Sequence, residues 1–251
     1  MVKTVTHLLL YLGGLGVLSL QTFSGIFRKR IDFPALICQI EQIGNKSFGL
    51  VALVAIFTSM VMALQLAVGL GRFGLKLYIG QIIGLTIVRE LGPVLSCIML
   101  AARVGSGIAA ELGSMVVTEQ VLAIEAMGAN PVVKLVVPRV LACMIAAPLL
   151  SVMADIIGVF GAMTITIMET GVTSRFYLDQ ILKSVRMEDF VEGTAKTLFF
   201  GFFIAIISCY QGLNASGGTE GVGQATTRAV VYCAIVIFIS DFFLTKLFLM
   251  I

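Results

Sequence analysis

Ionisable residues inside apolar segments are the groups of this sequence that are suited to chemistry or ligand binding. Arg89 and Glu90 are neighbours in the middle of an apolar run of membrane-spanning length, and Asp155, Lys196 and Asp241 lie in later apolar runs. A charge at the centre of a membrane-spanning helix costs about 2.5–3.5 kcal/mol on insertion scales. Such residues indicate either ion pairs that hold helices together or the polar lining of a substrate path.

Covalent catalysis is not supported by any arrangement of residues in the sequence. The single histidine, His7, is remote from the other polar groups, and the five cysteines have no CxxC spacing that would indicate a metal site. The Gly-rich stretch 212–223 follows an apolar run rather than a strand, and no GxxxxGK[ST] motif occurs. The net charge of +3 is spread along the chain, which gives no nucleic-acid-binding arm. We therefore predict a chain that is not an enzyme and holds neither metal nor cofactor.

Helices that cross a membrane are the elements that must position the embedded charges. The chain has 251 residues, of which 59% are hydrophobic and 12% charged, and its mean hydropathy is +1.05. A soluble domain has about 25% charged residues. Alternation with a period of two is absent, which favours helices over a β-barrel. The composition predicts an all-α integral membrane protein.

Five apolar runs reach the roughly 20 residues that one span needs. The polar stretch 169–193 is predicted to be a loop with a short helix, and 212–223 a flexible linker. The predicted spans are about 47–70, 77–102, 135–168, 194–211 and 229–250.

The first 46 residues are predicted to lead into the membrane domain, residues 47–251, without crossing the membrane. Residues 8–20 are too short and too rich in glycine to span, and the basic cluster Arg28-Lys29-Arg30 follows them. We therefore expect residues 5–27 to form an interfacial helix. Residues 33–46 space their apolar side chains helically and are expected to form a second amphipathic segment.

Orientation follows from the Lys and Arg residues beside the spans. They are more numerous on the side of the N-terminus, for example Lys46, Arg103 and Lys134, than on the opposite side. The positive-inside rule then predicts a cytoplasmic N-terminus, and five spans place the C-terminus in the periplasm. Residues 103–134 would face the cytoplasm.

Two patterns occupy this cytoplasmic stretch. Gly105, Ala109 and Gly113 recur every four residues, which predicts close helix packing within one chain or between two. In the acid-rich segment 117–129, Val117, Val121, Ile124 and Gly128 share one helical face, and Asn130-Pro131 ends the helix. Periodicity leaves two interpretations of this segment open, a solvated connector and a coupling helix that docks on a partner ATPase.

Several motifs in order closely resemble the MlaE-type permease family, the membrane subunits of ABC systems that move lipids together with MCE-domain proteins. The resemblance covers roughly residues 30–251. The matching stretches are RELGP (89–93), ARVGSGIAAELG (102–113), TEQVLAIEAMGANP (118–131), PR (138–139) and ATTRAVV (225–231).

The resemblance implies an architecture and a set of partners. It implies an N-terminal interfacial elbow helix, five transmembrane helices and a homodimer that encloses a lipid-sized cavity for phospholipid. ATP and Mg would bind to a cytoplasmic ABC ATPase dimer, an MCE-domain ring would sit on the periplasmic side, and a small cytoplasmic accessory subunit is a further candidate partner. The N-terminus does not resemble a transit peptide, which favours a bacterial inner membrane over a plastid membrane.

The resemblance also assigns residues to two sites. The coupling helix would be residues 117–129, with contacts from Glu119, Val121, Leu122, Ile124, Glu125, Met127 and Gly128. The lipid cavity would be lined by Val61, Met62 and Gln65 together with Arg89, Glu90, Lys196 and Arg228, and embedded Asp241 is added to this set. Asp155 is a charge that the family pattern does not lead us to expect.

Two other functions are compatible with embedded charges. An ion-coupled secondary transporter would use Arg89, Glu90, Asp155 and Asp241 as a relay, but no inverted repeat supports it and five spans divide badly. A membrane scaffold without transport is the second alternative, and charges in the middle of spans argue against it.

Overall fold

Helices form 92% of this chain in the computed structural model, which describes residues 2–28, 33–248 and 250. No strand occurs within those ranges. The prediction for the basic cluster after the first segment falls on Lys29 and Arg30, which lie outside the described residues, as does the side chain of His7. An all-α membrane protein is confirmed.

The first two helices differ in one respect from the prediction. Helix α1 covers Val2–Arg28, and helix α2 covers Phe33–Arg72 without interruption, so no helix boundary falls at residue 46. The division into a lead-in segment and a membrane domain at that residue stays a prediction. A single buried stripe runs through that point, because Ile43 and Ser47 face the bundle one turn apart. At 1.5 Å per residue, α2 is about 60 Å long, twice the thickness of a hydrocarbon core.

The next segment is a nearly continuous helix from Lys76 to Val117, which extends well past the predicted end of the second span at 102. Two π-helical turns interrupt it, one at the embedded charges and one at the start of the small-residue stretch. Its parts are a 3₁₀ turn (Lys76–Tyr78), α3 (Ile79–Thr86), a π segment (Ile87–Leu91), α4 (Gly92–Leu100), a π segment (Ala101–Gly105) and α5 (Ser106–Val117).

The short helix α6 (Gln120–Ala126) connects this rod to a π segment (Val132–Val136) and helix α7 (Val137–Thr170). Helix α8 (Ser174–Ser184) is the short helix predicted within 169–193, and α9 covers Met187–Leu213. The predicted linker 212–223 is mostly wrong, because α10 (Gly218–Phe248) begins within it. Positive φ angles at Gly217 and Gly218 turn the chain, and Glu220 favours the helix start that follows.

Six described helices are long and apolar enough to cross a membrane, by length and composition. Four of them contain a predicted span, and the fifth, Gly218–Phe248, contains all but the end of the predicted span 229–250. The sixth is in α1, Leu9–Ile26, and its interfacial placement stays a prediction.

Helix α9 lies in the middle of the bundle, in contact with α5, α7 and α10, while α2 packs along α7. Close approaches are made at glycines, since a Cβ at Gly201 would be 2.7 Å from the Cys143 carbonyl, and one at Gly212 would be 2.9 Å from the Ala109 carbonyl. The small-residue stretch therefore packs closely, as predicted, and its partners α9 and α10 belong to the same chain. Helices α2 and α10 keep long apolar faces uncovered.

Candidate functional site

The π segment Ile87–Leu91 positions Arg89 and Glu90 and also frees a backbone acceptor. In an α-helix the carbonyl of Arg89 would accept the N–H of residue 93, but Pro93 has none. The Nζ atom of Lys196, on α9, donates to this carbonyl at 3.1 Å. Helix α9 reaches the segment closely because Gly193 lies against the Val88 carbonyl, where a Cβ would overlap it.

Lys196 is the centre of a buried charge cluster. Its other two donors go to Glu90 Oε1 at 2.9 Å and to Thr245 Oγ1 at 2.7 Å, so all three ammonium protons have acceptors. Asp241 Oδ1 lies 3.2 Å from Nζ and contributes charge attraction without a hydrogen bond. The Lys196 side chain is 2% exposed. Glu90, Lys196 and Asp241 were each predicted as embedded charges, and the structure brings them together.

Arg89 has a different partner, about two turns closer to the start of α9 than Lys196. Its Nε donates to Asp189 Oδ1 at 2.6 Å, and Nη2 also contacts this oxygen. Asp189 is buried, and its Oδ2 accepts the backbone N–H of Arg186 at 2.7 Å, which caps α9. Arg89 and Glu90 therefore do not pair with each other but hold the π segment to α9 at two points.

Asp189 and Thr245 are members of the cluster that the sequence did not predict. Asp189 falls in the polar stretch 169–193, which was predicted to be a loop with a short helix. The signal that would have found it is the acidic first turn of a helix, Glu188 and Asp189, directly before an apolar run. Thr245 gave no signal, because a lone threonine in an apolar helix carries no charge.

The cluster is open on one side of the chain. The side chains of Arg89 and Glu90 are 37% and 34% exposed, although their charged groups are paired. Phe242, which follows Asp241 on α10, is exposed. Charges of both signs therefore border an uncovered apolar face, an arrangement that suits an amphiphilic molecule. Within the described residues no group of three or more His, Cys, Asp or Glu residues is placed to hold a metal.

The other predicted cavity residues do not join this cluster within one chain. Val61 and Gln65 are exposed on α2 and Met62 is half-buried. Arg228 is exposed on α10 and contacts Gln224 at 3.3 Å, about 20 Å along the helix from Asp241. Asp155 lies on α7, apart from the cluster.

Helix α6 presents apolar side chains that nothing in the described chain covers. Glu119 precedes it in the left-handed conformation, with φ of 59°, and Gly128 follows it with φ of 75°. Ile124 is buried and Val121 half-buried against the bundle, as the predicted apolar face requires, but Val117 is exposed. Leu122 and Met127 are 60% and 72% exposed. Glu119 and Glu125 are exposed beside them.

An ion pair joins α5 and α7, the two long helices on either side of α6. Arg139 on α7 is buried, and its Nη2 lies 2.8 Å from Glu111 Oε1 on α5. Its Nη1 donates to the Leu135 carbonyl at 2.9 Å. Nearby, Arg103 Nη1 donates to Ser47 Oγ at 2.8 Å, which ties the rod to α2. Arg103 and Glu111, the two charged residues of the small-residue stretch, therefore both have polar partners.

Comparison with known proteins matches this chain to one family along most of its length. A family model described as "Permease MlaE" matches residues 36–247. A "Probable ABC transporter permease protein" of Rickettsia bellii is 39% identical over 98% of this chain and 95% of its own. "Intermembrane phospholipid transport system permease protein MlaE" of Haemophilus influenzae is 33% identical over 98% and 94%. "Protein TRIGALACTOSYLDIACYLGLYCEROL 1, chloroplastic" of Arabidopsis thaliana is 36% identical over 89% of this chain and 64% of its own.

Proposed function

This chain belongs to the MlaE permease family, and from that premise we propose that it carries phospholipids through the membrane as the permease subunit of an ABC transporter. It is a multi-pass membrane permease, and membership of an ABC permease family implies an ATPase partner. The lipid would move between the bacterial inner membrane and a periplasmic path formed by an MCE-domain protein, toward or from the outer membrane.

The observation that carries the lipid proposal is the one-sided opening of the Lys196 cluster. A phospholipid needs charged or polar groups for its head and an apolar surface for its acyl chains. Arg89 and Glu90 are partly exposed beside the uncovered apolar face of α10. The relative in Haemophilus influenzae whose name includes phospholipid transport is similar over nearly the whole chain, which supports the same substrate class.

Energy would reach the permease through α6. Leu122 and Met127 are apolar side chains on a short helix outside the apolar spans, and a groove on a cytoplasmic ATPase would cover them. The acidic residues Glu119 and Glu125 at the rim would select a basic edge of that groove. ATP and Mg would bind only in the ATPase, and closure of its dimer would move α6.

A second copy of the chain would complete the cavity. Val61 and Gln65 on α2 and Arg228 on α10 are exposed in one chain. A homodimer that buries the uncovered faces of α2 and α10 would place these residues around one shared cavity. With the N-terminus in the cytoplasm, an MCE-domain ring would cover the periplasmic side, and a small accessory subunit could bind the ATPase.

The ion-coupled alternative is not favoured by any contact in the cluster. Its relay would include Asp155, but Asp155 lies against Gly92, which is about 200° around the helix from Glu90. The scaffold alternative accounts for the ion pairs of Arg89 and Glu90 with α9 but gives no role to the exposed part of these two side chains.

Co-purification from membranes tests the proposed function. An ABC ATPase and bound phospholipid should come with the tagged chain. Glu125→Arg should lose the ATPase and keep the lipid, whereas Glu169→Arg, the same charge change at the far end of α7, should keep both. Wild-type protein that brings neither an ATPase nor a phospholipid would refute the proposal.

A further inference from the structure

Three carboxylates and two cations make up the charge cluster around Lys196. The acids are Glu90, Asp189 and Asp241, and the bases are Arg89 and Lys196. Arg89 and Asp189 balance each other, which leaves one ammonium group between two acids. No other basic side chain contacts these acids among the described residues. The cluster therefore lacks one positive charge inside membrane-spanning helices, where an unbalanced charge is costly.

The acid with the weakest contacts is Asp241 on α10. Its Oδ1 atom is buried and lies 3.2 Å from the Lys196 Nζ atom, but no hydrogen bond reaches it from the described part of the chain. The three protons of that ammonium group go instead to the Arg89 carbonyl, Glu90 and Thr245. The charge of Asp241 is therefore offset only through space, by a cation that Glu90 also uses.

Glu90 provides an acceptor that a ligand can reach. Its Oε1 atom accepts from Lys196 Nζ at 2.9 Å and from Thr245 Oγ1 at 3.2 Å. Its Oε2 atom receives no hydrogen bond from the described residues and is not fully buried, and 34% of the side chain is exposed. An accessible carboxylate oxygen without a donor, beside a second acid, is suited to an ammonium group.

Arg89 provides the complementary donor. Its Nε and Nη2 atoms contact Asp189, whereas Nη1 makes no hydrogen bond within the described chain and is not fully buried. Arginine N–H groups bind phosphate oxygens well. Arg89 and Glu90 are neighbours in the chain, and their partners Asp189 and Lys196 lie about 10 Å apart along α9. The donor and the acceptor are therefore separated on the scale of one lipid head group.

We propose that the permease prefers phospholipids whose head group carries a primary ammonium group as well as the phosphate. The phosphate accepts from Arg89 Nη1. The ammonium group donates to Glu90 Oε2 and supplies the positive charge that the cluster lacks, while the acyl chains lie along the apolar face of α10, where Phe242 is exposed. A head group that is only anionic would add a negative charge beside two acids. This preference rests on the proposed function and narrows its substrate.

Competition among head groups tests the preference. The purified full-length chain in detergent receives equal amounts of dioleoyl phosphatidylethanolamine, phosphatidylcholine and phosphatidylglycerol, and mass spectrometry measures the lipid that stays bound after the excess is removed. The ethanolamine lipid should be retained about tenfold over the glycerol lipid, which corresponds to one charge-assisted hydrogen bond.

Two failures of this experiment have different meanings. Equal retention of all three lipids would overturn the preference and leave the proposed function intact, since a proton on Asp241 could then balance the cluster. Retention of no phospholipid at all would count against the proposed function itself.

Methylation of the lipid amine separates hydrogen bonding from charge without any change to the protein. Each N-methyl group removes one N–H donor and keeps the positive charge. Retention should therefore fall from the ethanolamine lipid through its N-monomethyl form to the choline lipid, which should still exceed the glycerol lipid. A choline lipid that is retained as well as the ethanolamine lipid would contradict the contact with Glu90.

Glu90→Gln should abolish the preference, because it removes the negative charge and keeps the size of the side chain. The ethanolamine and glycerol lipids should then be retained in similar amounts. Asp179→Asn, which removes an exposed carboxylate from α8, should keep the ratio of the wild type. An unchanged ratio in Glu90→Gln would contradict the proposal, and if this variant does not fold, the methylation series on the wild type decides.

Discussion

The cluster around Lys196 and the exposed helix α6 are built in opposite ways. In the cluster, each ammonium proton has an acceptor, and the side chains come from the π segment, α9 and α10 of one chain. On α6, Leu122 and Met127 have apolar surface that no described residue covers. The charged groups of the first region find their partners within a single chain, whereas the proposed function would give the second region its partner in another protein.

Because of this difference, variants in the two regions should affect different properties, the stability of the chain in one case and the assembly of a complex in the other. Breaking contacts of the cluster should lower the stability of the permease itself, because the charges there are buried and already paired. Changing the exposed side chains of α6 should leave stability unchanged and weaken a complex. Variants that reverse these outcomes would contradict the comparison.

Lys196→Met should have the largest effect. It removes the only cation that contacts Glu90 and Asp241 among the described residues, and it also frees the Arg89 carbonyl. Loss of one partner of a buried ion pair costs about 3–5 kcal/mol. Thermal unfolding should show this loss, whereas Lys183→Met, at an exposed pair with Asp179, should cost about 0–1 kcal/mol. Equal midpoints for the two variants would contradict the account.

Gly193→Ala should have the second-largest effect on stability. It tests how closely α9 approaches the π segment. A methyl group there would overlap the Val88 carbonyl and lie 3.2 Å from the Pro93 side chain. Overpacking of this kind costs about 1–3 kcal/mol. Gly107→Ala is the matched control, since nothing lies within 4 Å of its added Cβ and alanine favours the helix. If Gly193→Ala unfolds like Gly107→Ala, the contact is not tight.

The double variant Leu122→Ser, Met127→Ser tests the other side of the comparison. Two uncovered apolar side chains are lost, so ATPase affinity should fall about 10–100-fold while the unfolding midpoint stays unchanged. Binding to immobilised permease measures the affinity. The control is the double variant Leu182→Ser, Met168→Ser, which changes two exposed side chains at the ends of α8 and α7. It should bind the ATPase with the affinity of the wild type. A loss of affinity in the control would show that the effect is not specific to α6.

Tyr177→Phe should have the smallest effect and gives a baseline for a neutral polar contact. The hydroxyl donates to the Val159 carbonyl at 3.4 Å, and its loss should cost about 0.5–1 kcal/mol at neutral pH. Burial raises the pKa of Tyr177 above its usual value of 10.0. As the pH rises above 10, the hydroxyl loses its proton in the unfolded chain before it does so in the folded chain. The free energy of unfolding of the wild type therefore falls in this pH range, and that of Tyr177→Phe should fall less. Parallel pH curves for the two proteins would contradict this.

The sequence predicted the charges of the cluster but not their partners. Arg89, Glu90, Lys196 and Asp241 are recognisable because charge in an apolar run is rare. Their pairing depends on which faces of α9 and α10 meet the π segment, and that rotation follows from close contacts such as Gly193 on Val88. Asp189 was missed for the same reason, since its burial comes from the tertiary position of a helix start.

Helix boundaries show a similar division. The five spans were predicted by apolar length, which is a local property. The continuation of α2 through residue 46 and the start of α10 at Gly218 were not predicted. In both places glycine and polar residues suggest a break in the helix. At residue 46 the flanking turns of α2 pack against the bundle, and the helix continues. At the start of α10 the acidic residue Glu220 in the first turn favours the helix.

ATP-driven transfer of labelled phospholipid by the permease and its ABC ATPase in liposomes tests the central claim most directly. We expect transfer that requires both ATP and the ATPase. Glu90→Ala should bind the ATPase normally, because Lys196 keeps Asp241 as a partner, and transfer should fall about tenfold with the loss of one charged contact. Transfer driven by an ion gradient without the ATPase, or an unchanged rate in Glu90→Ala, would contradict the account.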